Sequence, residues 1–447
     1  MRDFTKKLNP SQILVIGFLA IILAGTALLM LPFSTPKGIS IVDALFTSTS
    51  AVCVTGLIVL DTPNEFTTAG QIIIMLLIQF GGLGYMTSAT IISLMIGKRI
   101  GLGERLIMKE ALNVLSLEGI VRFTKAVLLI TVLFELTGAL LLSLRFALDY
   151  PLGEALFYGL FHAVSAFNNA GFSTFSDNLM KYRGDVIINL VITSLIILGG
   201  IGFIVISDVY AFARKRVLKI SLHSKIVLTT TAVLIVAGAV IIFLFELGNP
   251  LSFGQMTLGE QVLVSYFASV TPRTAGFNTV DYSTLRLETL FLTVILMFIG
   301  ASPGSTGGGV KTSTFAVMIM ALWATLRSRR DTVMFRRRIS QEVVSRAFLL
   351  VTLAFVLVVI VTFFIIRGED TKYLSTLFEV TSAFGTVGLS IGDGGVRSLS
   401  ALFTEFGKVM ISLTMFAGRL GPLTVGVALI RQTEERFRYP EGRVILG

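Results

Sequence analysis

Thr274-Ala275-Gly276-Phe277-Asn278 decides how this chain is read. The stretch is short, small and polar, and an apolar run flanks it on each side. The same shape recurs at Val54-Thr55-Gly56-Leu57, Asn169-Ala170-Gly171-Phe172-Ser173 and Thr386-Val387-Gly388-Leu389-Ser390. The four glycines lie 115, 105 and 112 residues apart. That spacing marks repetition of a large unit, far beyond the roughly 20–50-residue period of a solenoid. Glycine supplies the backbone freedom of a tight non-helical turn. Within a membrane such backbone is tolerated only where protein buries it or water lines it. Four such breaks point to four loops meeting at one axis.

Composition agrees. Of 447 residues only 14% are charged, against about 25% in soluble domains, and the mean hydropathy is +0.84. Apolar runs of spanning length recur from end to end. The net charge of +10 sits in short loops between spans, which indicates membrane lipid and not nucleic acid as its partner. The single Cys53 excludes an intrachain disulfide framework. His162 and His223 are the only histidines, and His162 is read as a packed core residue. No nucleophile–base pair or acid–histidine cluster supports an enzyme. The first apolar run, Ile13–Leu31, has spanning length and lacks a small-residue cleavage pattern, so it is read as a span.

Four units follow. In residues 1–110, Ile13–Leu31 crosses, Asp43–Cys53 is too short for a core of ~30 Å and dips as a half-helix, and Ala69–Ile96 returns. In 111–219 the counterparts are Val121–Leu148, Glu154–Phe167 and Asp185–Phe212. In 220–338 they are Ile226–Leu247, Gly259–Val270 and an interrupted Leu285–Leu326. In 339–447 they are Val343–Ile366, Lys372–Phe384 and Leu399–Ile430, with a short basic tail. The inter-unit loops are basic, so both termini are placed in the cytoplasm of a multi-pass plasma-membrane protein, and the glycine loops enter from outside. The expected fold is an all-α polytopic membrane protein. It has four tandem outer helix–pore loop–inner helix units, with eight transmembrane helices and four re-entrant half-helices, around a pseudo-four-fold pore.

Rings of backbone carbonyls can replace the hydration shell of a cation. The candidate backbone is Val54, Thr55 and Gly56; Asn169, Ala170 and Gly171; Thr274, Ala275 and Gly276; and Thr386, Val387 and Gly388. Each half-helix points a C-terminal end at its loop, carrying roughly half a negative charge. Asp43, Glu154, Glu260, and Glu369 or Asp370 stand near the opposite ends. They are either dipole partners or ion-recruiting groups at the outer mouth.

The second informative stretch is Gly300-Ala301-Ser302-Pro303-Gly304-Ser305-Thr306-Gly307-Gly308-Gly309-Val310-Lys311-Thr312. Glycine costs helix up to ~1 kcal/mol per residue and proline about 3, so the third return span must unwind there. A phosphate-binding loop is excluded, because Val310 separates Gly309 from Lys311 and no strand precedes the stretch. On the residues alone the segment is a packing kink. The other return spans carry Gly81-Gly82-Leu83-Gly84, Gly199-Gly200-Ile201-Gly202 and Gly418-Arg419-Leu420-Gly421. These are read as sites of close helix packing or bending. A charge at mid-span is costly. Arg419 therefore faces a cavity, or pairs with a distant acid such as Glu379.

Taken together, the four units and their loop glycines resemble the Trk/Ktr/HKT superfamily of potassium transporters over nearly the whole chain. Without a further pair of N-terminal spans, the chain is most similar to the membrane subunits of the Ktr branch. The resemblance implies potassium as the transported substrate, since glycine stands in all four loops where serine in the first goes with sodium. The two-glycine TVGYG loop of potassium channels is absent. It further implies that Gly300–Thr312 gates the pore beneath the filter, with Gly300, Ser302, Gly304, Ser305, Thr306, Gly307, Gly308, Gly309 and Lys311 as candidate gate residues and Arg419 opposing cation passage. It implies a homodimer with one pore per subunit, controlled by a cytosolic nucleotide-binding regulatory ring that is KtrA-like. No covalently bound cofactor is implied. Sodium stays open both as an activator and as the alternative cargo of the same architecture.

Overall fold

The computed structural model describes residues 10–84, 87 and 119–429. The basic lead, the first inter-unit loop with Lys98, Arg99, Arg105 and Lys109, and the basic tail lie outside the described residues. The chain is mostly helical, and its elements repeat one plan four times.

Each repeat opens with a long apolar helix: α1 (Pro10–Leu29), α4 (Ile120–Phe146), α8 (Leu222–Glu246) and α12 (Gln341–Gly368). Only 33, 39, 28 and 28% of their apolar windows are buried. Helices this apolar that still expose most of their surface are solvated by lipid. Each is followed by a shorter helix: α2 (Ile41–Val52), α5 (Leu152–Phe167), α9 (Leu258–Val270) and α13 (Tyr373–Gly385). At 12 to 16 residues these reach about 18–24 Å, too short to cross. Their buried faces supply much of the core, including Phe46, Phe161, Phe167, Phe267, Phe378 and Phe384.

The starts of the first and third half-helices carry a side-chain cap, and those of the second and fourth do not. The Ser40 hydroxyl accepts from the Asp43 amide, and Thr257 with Glu260 forms a reciprocal capping box. The fourth half-helix has no acid in its first turn. Glu369 instead accepts from the amide and hydroxyl of Thr404, so its role is to tie the end of α12 to the following helix. The third unit uses the same device, with Glu246 accepting from the Arg286 amide and the Thr289 hydroxyl. In the second unit Arg145 pairs with Asp185 at 2.6 Å. In the first, the Thr67 amide donates to the Ser34 carbonyl at 3.0 Å. Every repeat thus fixes the separation of its outer and returning helices.

The returning helices are α3 (Thr68–Leu83); α6 (Val186–Ile201) with α7 (Phe203–Ala213); α10 (Leu287–Phe298) with α11 (Thr312–Leu326); and α14 (Glu405–Leu420) with α15 (Pro422–Leu429). The expected unbroken spans Asp185–Phe212 and Leu399–Ile430 are corrected here. The pairs α6–α7 and α14–α15 bend by 98° and 97°, and residues 399–402 form a separate short turn. The cause lies in the repeated four-residue motif. A Cβ on its first glycine, Gly81, Gly199 or Gly418, would collide with the carbonyl oxygen of Val52, Phe167 or Phe384 at the end of a half-helix. Its last glycine, Gly84, Gly202 or Gly421, takes φ of 81, 99 or 88°, which side-chain-bearing residues adopt only at a cost. One motif therefore seats the half-helix and ends the returning helix. Between α11 and α12 the basic segment folds into a small antiparallel hairpin, β1 (Thr332–Met334) and β2 (Arg337–Ile339).

Gly199→Ala is expected to lower the thermal unfolding midpoint in detergent, because overpacking against fixed backbone costs about 1–3 kcal/mol. Gly153→Ala, where a Cβ meets nothing within 4 Å, should leave it unchanged or slightly raised. Equal midpoints for the two variants would contradict this account of the packing.

Candidate ion-binding site

Each half-helix runs out into a residue with left-handed backbone: Val54, Asn169, Thr274 and Thr386, at φ of 50, 58, 71 and 51°. Two residues later Gly56, Gly171, Gly276 and Gly388 stand at 90, 69, 77 and 94°. Four non-glycine residues in this region cost of order 1 kcal/mol each and persist only where their surroundings over-determine them. Here the residue between each pair is fixed to the preceding half-helix. Thr55, Ala170 and Val387 donate to the Ser50, Ser165 and Ser382 carbonyls at 2.8 Å, and Ala275 donates to Thr271 at 2.9 Å. The same hydroxyl residues brace the far side of the loops. Ser50 and Ser382 accept from the Gly56 and Gly388 amides, while Ser165 and Thr271 donate to the Phe172 and Phe277 carbonyls.

The loops close into a ring. A Cβ on Gly56 would fall within 3.0 Å of the Ala170 carbonyl oxygen, one on Gly171 near that of Ala275, one on Gly276 near that of Val387, and one on Gly388 near that of Thr55. The order is therefore first, second, third, fourth and back to the first, and all twelve sequence-predicted loop residues come together. The four glycines line one cavity of ≈ 40 Å³ together with residues that follow the loops, among them Ile58, Ser173, Asn278 and Ser390. Thr55, Ala170, Ala275 and Val387 are fully buried, yet among the described residues no protein donor reaches their carbonyl oxygens. Buried carbonyls are nearly always paired. A ring of four left unpaired by the protein, at the negative ends of four half-helices, favours a cation.

Residues 299–311 pass directly beneath. The loop closes at its neck through a parallel bridge between Ile299 and Val310, and a Cβ on Gly300 would strike Gly308 and Gly309. One half rests on the break in the second unit. The Ser302 amide donates to the Gly200 carbonyl at 3.0 Å, and the Phe203 amide donates to the Gly304 carbonyl at 3.0 Å. Ser302 also meets the Thr312 hydroxyl at 2.9 Å, and the Ser305 hydroxyl donates to the Ser302 carbonyl. The other half hangs from the ring. The Thr306 hydroxyl donates to the Phe167 carbonyl, the Gly308 amide donates to the Thr386 hydroxyl at 3.0 Å, and Gly307 packs on Thr274. Lys311 folds back to donate to the Gly307 carbonyl at 2.7 Å.

Arg419 locks this loop. It donates to the Thr306 carbonyl and to the Gly81 and Gly82 carbonyls, joining the first, third and fourth units. Among the described residues no acid lies within ion-pairing distance of it. Its alternative partner, Glu379, is occupied by Ser390 and Ser400. His162 is buried, and both its ring nitrogens have partners, the Tyr158 carbonyl and the Ser173 hydroxyl.

Two groups escaped the sequence reading. Glu135, buried on α4, accepts from the Asn168 amide at 2.8 Å, and that amide also meets Gln79 at 3.0 Å. The signal was an acid inside an otherwise apolar run. Asp61 reaches the cavity at the four glycines, held by Ser176 at 2.6 Å. It was legible only as an acid in the exit of the first loop.

Fold and site define a multi-pass membrane protein of the pore-loop class, in which re-entrant half-helices deliver backbone loops to a shared axis. The chain belongs to the TrkH family of cation transport proteins, whose family model matches residues 4–438. It is 44% identical to the Ktr system potassium uptake protein B of Bacillus subtilis over 99% of this chain and 97% of that one. It is 39% identical to the protein of the same name from Vibrio alginolyticus, over 100% and 96%. It is also 39% identical to the potassium/sodium uptake protein NtpJ of Enterococcus hirae, over 99% and 98%. The crystal structure of the potassium transporter TrkH from Vibrio parahaemolyticus shares the fold, with a TM-score of 0.72 over 93% of this chain and 85% of that one at 23% identity. Members of this family are cation transporters and not enzymes.

Hydrogen bonds from a charged donor are worth about 1.5–3 kcal/mol each. Arg419→Ala is therefore expected to raise rubidium efflux from proteoliposomes at least about tenfold. A folded variant that conducts like the parent would remove Arg419 from the gate.

Proposed function

We propose that this chain admits potassium to the cell down its electrochemical gradient, through the ring formed at Gly56, Gly171, Gly276 and Gly388. The observation that carries this reading is the set of four buried carbonyl oxygens, from Thr55, Ala170, Ala275 and Val387, without protein donors. Such oxygens stand in for the water a cation sheds. A membrane potential of 100 mV supplies ~2.3 kcal/mol per charge, so uptake needs no nucleotide hydrolysis in this subunit.

The path crosses the plasma membrane. Each unit passes out and back to give eight crossings, with both termini cytoplasmic. The loop from Gly300 to Lys311 closes the path below the ring, held by Arg419 and the Thr386 hydroxyl. Two relatives are named as parts of a Ktr system, which fits a homodimer opened by a cytosolic nucleotide-binding ring. Sodium is the second reading, favoured by the potassium/sodium name of one relative. It extends to sodium as an activator.

Uptake into proteoliposomes holding potassium alone or sodium alone separates the cargoes. Rubidium uptake should be displaced by potassium and not by equal sodium. Equal displacement would favour the sodium reading. Gly276→Ser, whose side chain would crowd the Val387 carbonyl, should cut rubidium uptake by about tenfold or abolish its preference for potassium. Unaltered uptake would detach the ring from conduction.

A further inference from the structure

A cavity of ≈ 420 Å³ opens between the end of α11, the β1–β2 hairpin and the start of α12. Ser328, at φ 52°, turns the chain so that the Arg329 amide donates back to the Ala324 carbonyl at 2.9 Å. This brings Arg329 and Arg330 to the rim. The neighbouring cations are already engaged: Arg338 pairs with Asp331 at 2.8 Å, and Arg327 lies over the Trp323 ring at 4.5 Å. Among the described residues Arg329 and Arg330 have no protein partner. The wall is mixed: Thr325, Thr332, Gln341 and Ser345 stand beside Val344 and Phe348. Leu326 and Trp323, 79% and 49% exposed, flank the opening. An exposed tryptophan beside arginine marks the level where lipid headgroups sit.

We infer that this cavity is a binding site for a phosphate-bearing anion, Arg329 and Arg330 taking the phosphate within the polar cavity and the exposed Leu326 and Trp323 at its opening taking attached apolar chain. Guanidinium forks suit phosphate oxygens. A cationic rim next to the exposed Trp323 and Leu326 favours an anionic phospholipid over a soluble phosphate. The inference rests on the reading of this face as cytoplasmic, where anionic lipid attracts basic side chains. Its consequence is regulatory, because α11 begins at Thr312, directly after the loop beneath the ring. An occupant joining α11 to α12 restrains the helix that the loop must move.

The test measures binding to the purified full-length protein in detergent and needs no ion flux, so its failure is distinct from failure of the transport reading. The probes are dihexanoyl-phosphatidylglycerol, the matching phosphatidylcholine and inorganic phosphate, and the readout is ligand-dependent thermal stabilisation. The parent should bind phosphatidylglycerol saturably. Arg329→Gln/Arg330→Gln should weaken this at least about tenfold, as expected for two basic groups at ~1 kcal/mol each. Arg336→Gln/Arg337→Gln, an equal charge change on the same hairpin outside the cavity, should not. Ser345→Trp, which fills the cavity without altering charge, should give the same loss and serves if the charge variant fails to fold. Stabilisation by inorganic phosphate alone, lost in the same variants, keeps the site and assigns it a soluble phosphate. Equal loss in both arginine pairs, or no saturable binding of any probe, overturns the inference.

Discussion

In lipid, a backbone carbonyl that no donor reaches costs several kcal/mol. This chain satisfies much of its backbone in helices and leaves carbonyls of its four loops without protein donors among the described residues. The half-helices stop, their last turns are tied to the next loop amides, and Thr55, Ala170, Ala275 and Val387 are left facing a neighbouring glycine. The strain of four left-handed residues is carried by buried hydroxyls that brace each loop from behind. The remaining architecture, outer helices in lipid and stapled returns, keeps those four loops at one height and one spacing.

Glycine acts in two distinct ways around this ring. At Gly81, Gly199 and Gly418 the missing Cβ admits the end of a half-helix, which sets how close the loops stand to the axis. At Gly84, Gly202 and Gly421 the positive φ ends the returning helix just beyond, making room for the segment around Thr306 and Gly308. In the fourth unit the second glycine of the motif is replaced by Arg419, whose guanidinium crosses to carbonyls of two other units. The position occupied by a small residue in two repeats thus becomes the clasp in the last.

Much of this was legible in the sequence because local chemistry dictates it. The second half-helix was expected over Glu154–Phe167 and runs Leu152–Phe167, since a short apolar run ending at a glycine turn has few other readings. The loop residues and their convergence followed from repetition alone. The bends at Gly202 and Gly421 were not fixed by the sequence, because glycine inside a span serves packing as often as kinking, and only the abutting half-helix distinguishes them. The partners of Arg419 were open for a similar reason. Glu379 is a chemically better match than a carbonyl, but it is consumed by Ser390 and Ser400. Glu369 or Asp370 was read as a dipole partner of the fourth half-helix or an ion-recruiting group, yet Thr404, far off in sequence, claims Glu369.

The account depends most on cation occupancy at the ring. A crystal of the protein grown with rubidium or thallium, with anomalous scattering recorded at the metal edge, tests that directly. The account predicts a peak on the axis, among the carbonyls of Thr55, Ala170, Ala275 and Val387 and above the loop at Thr306–Gly308. Well-ordered loops with no anomalous density between them, and ions bound only elsewhere, would contradict it.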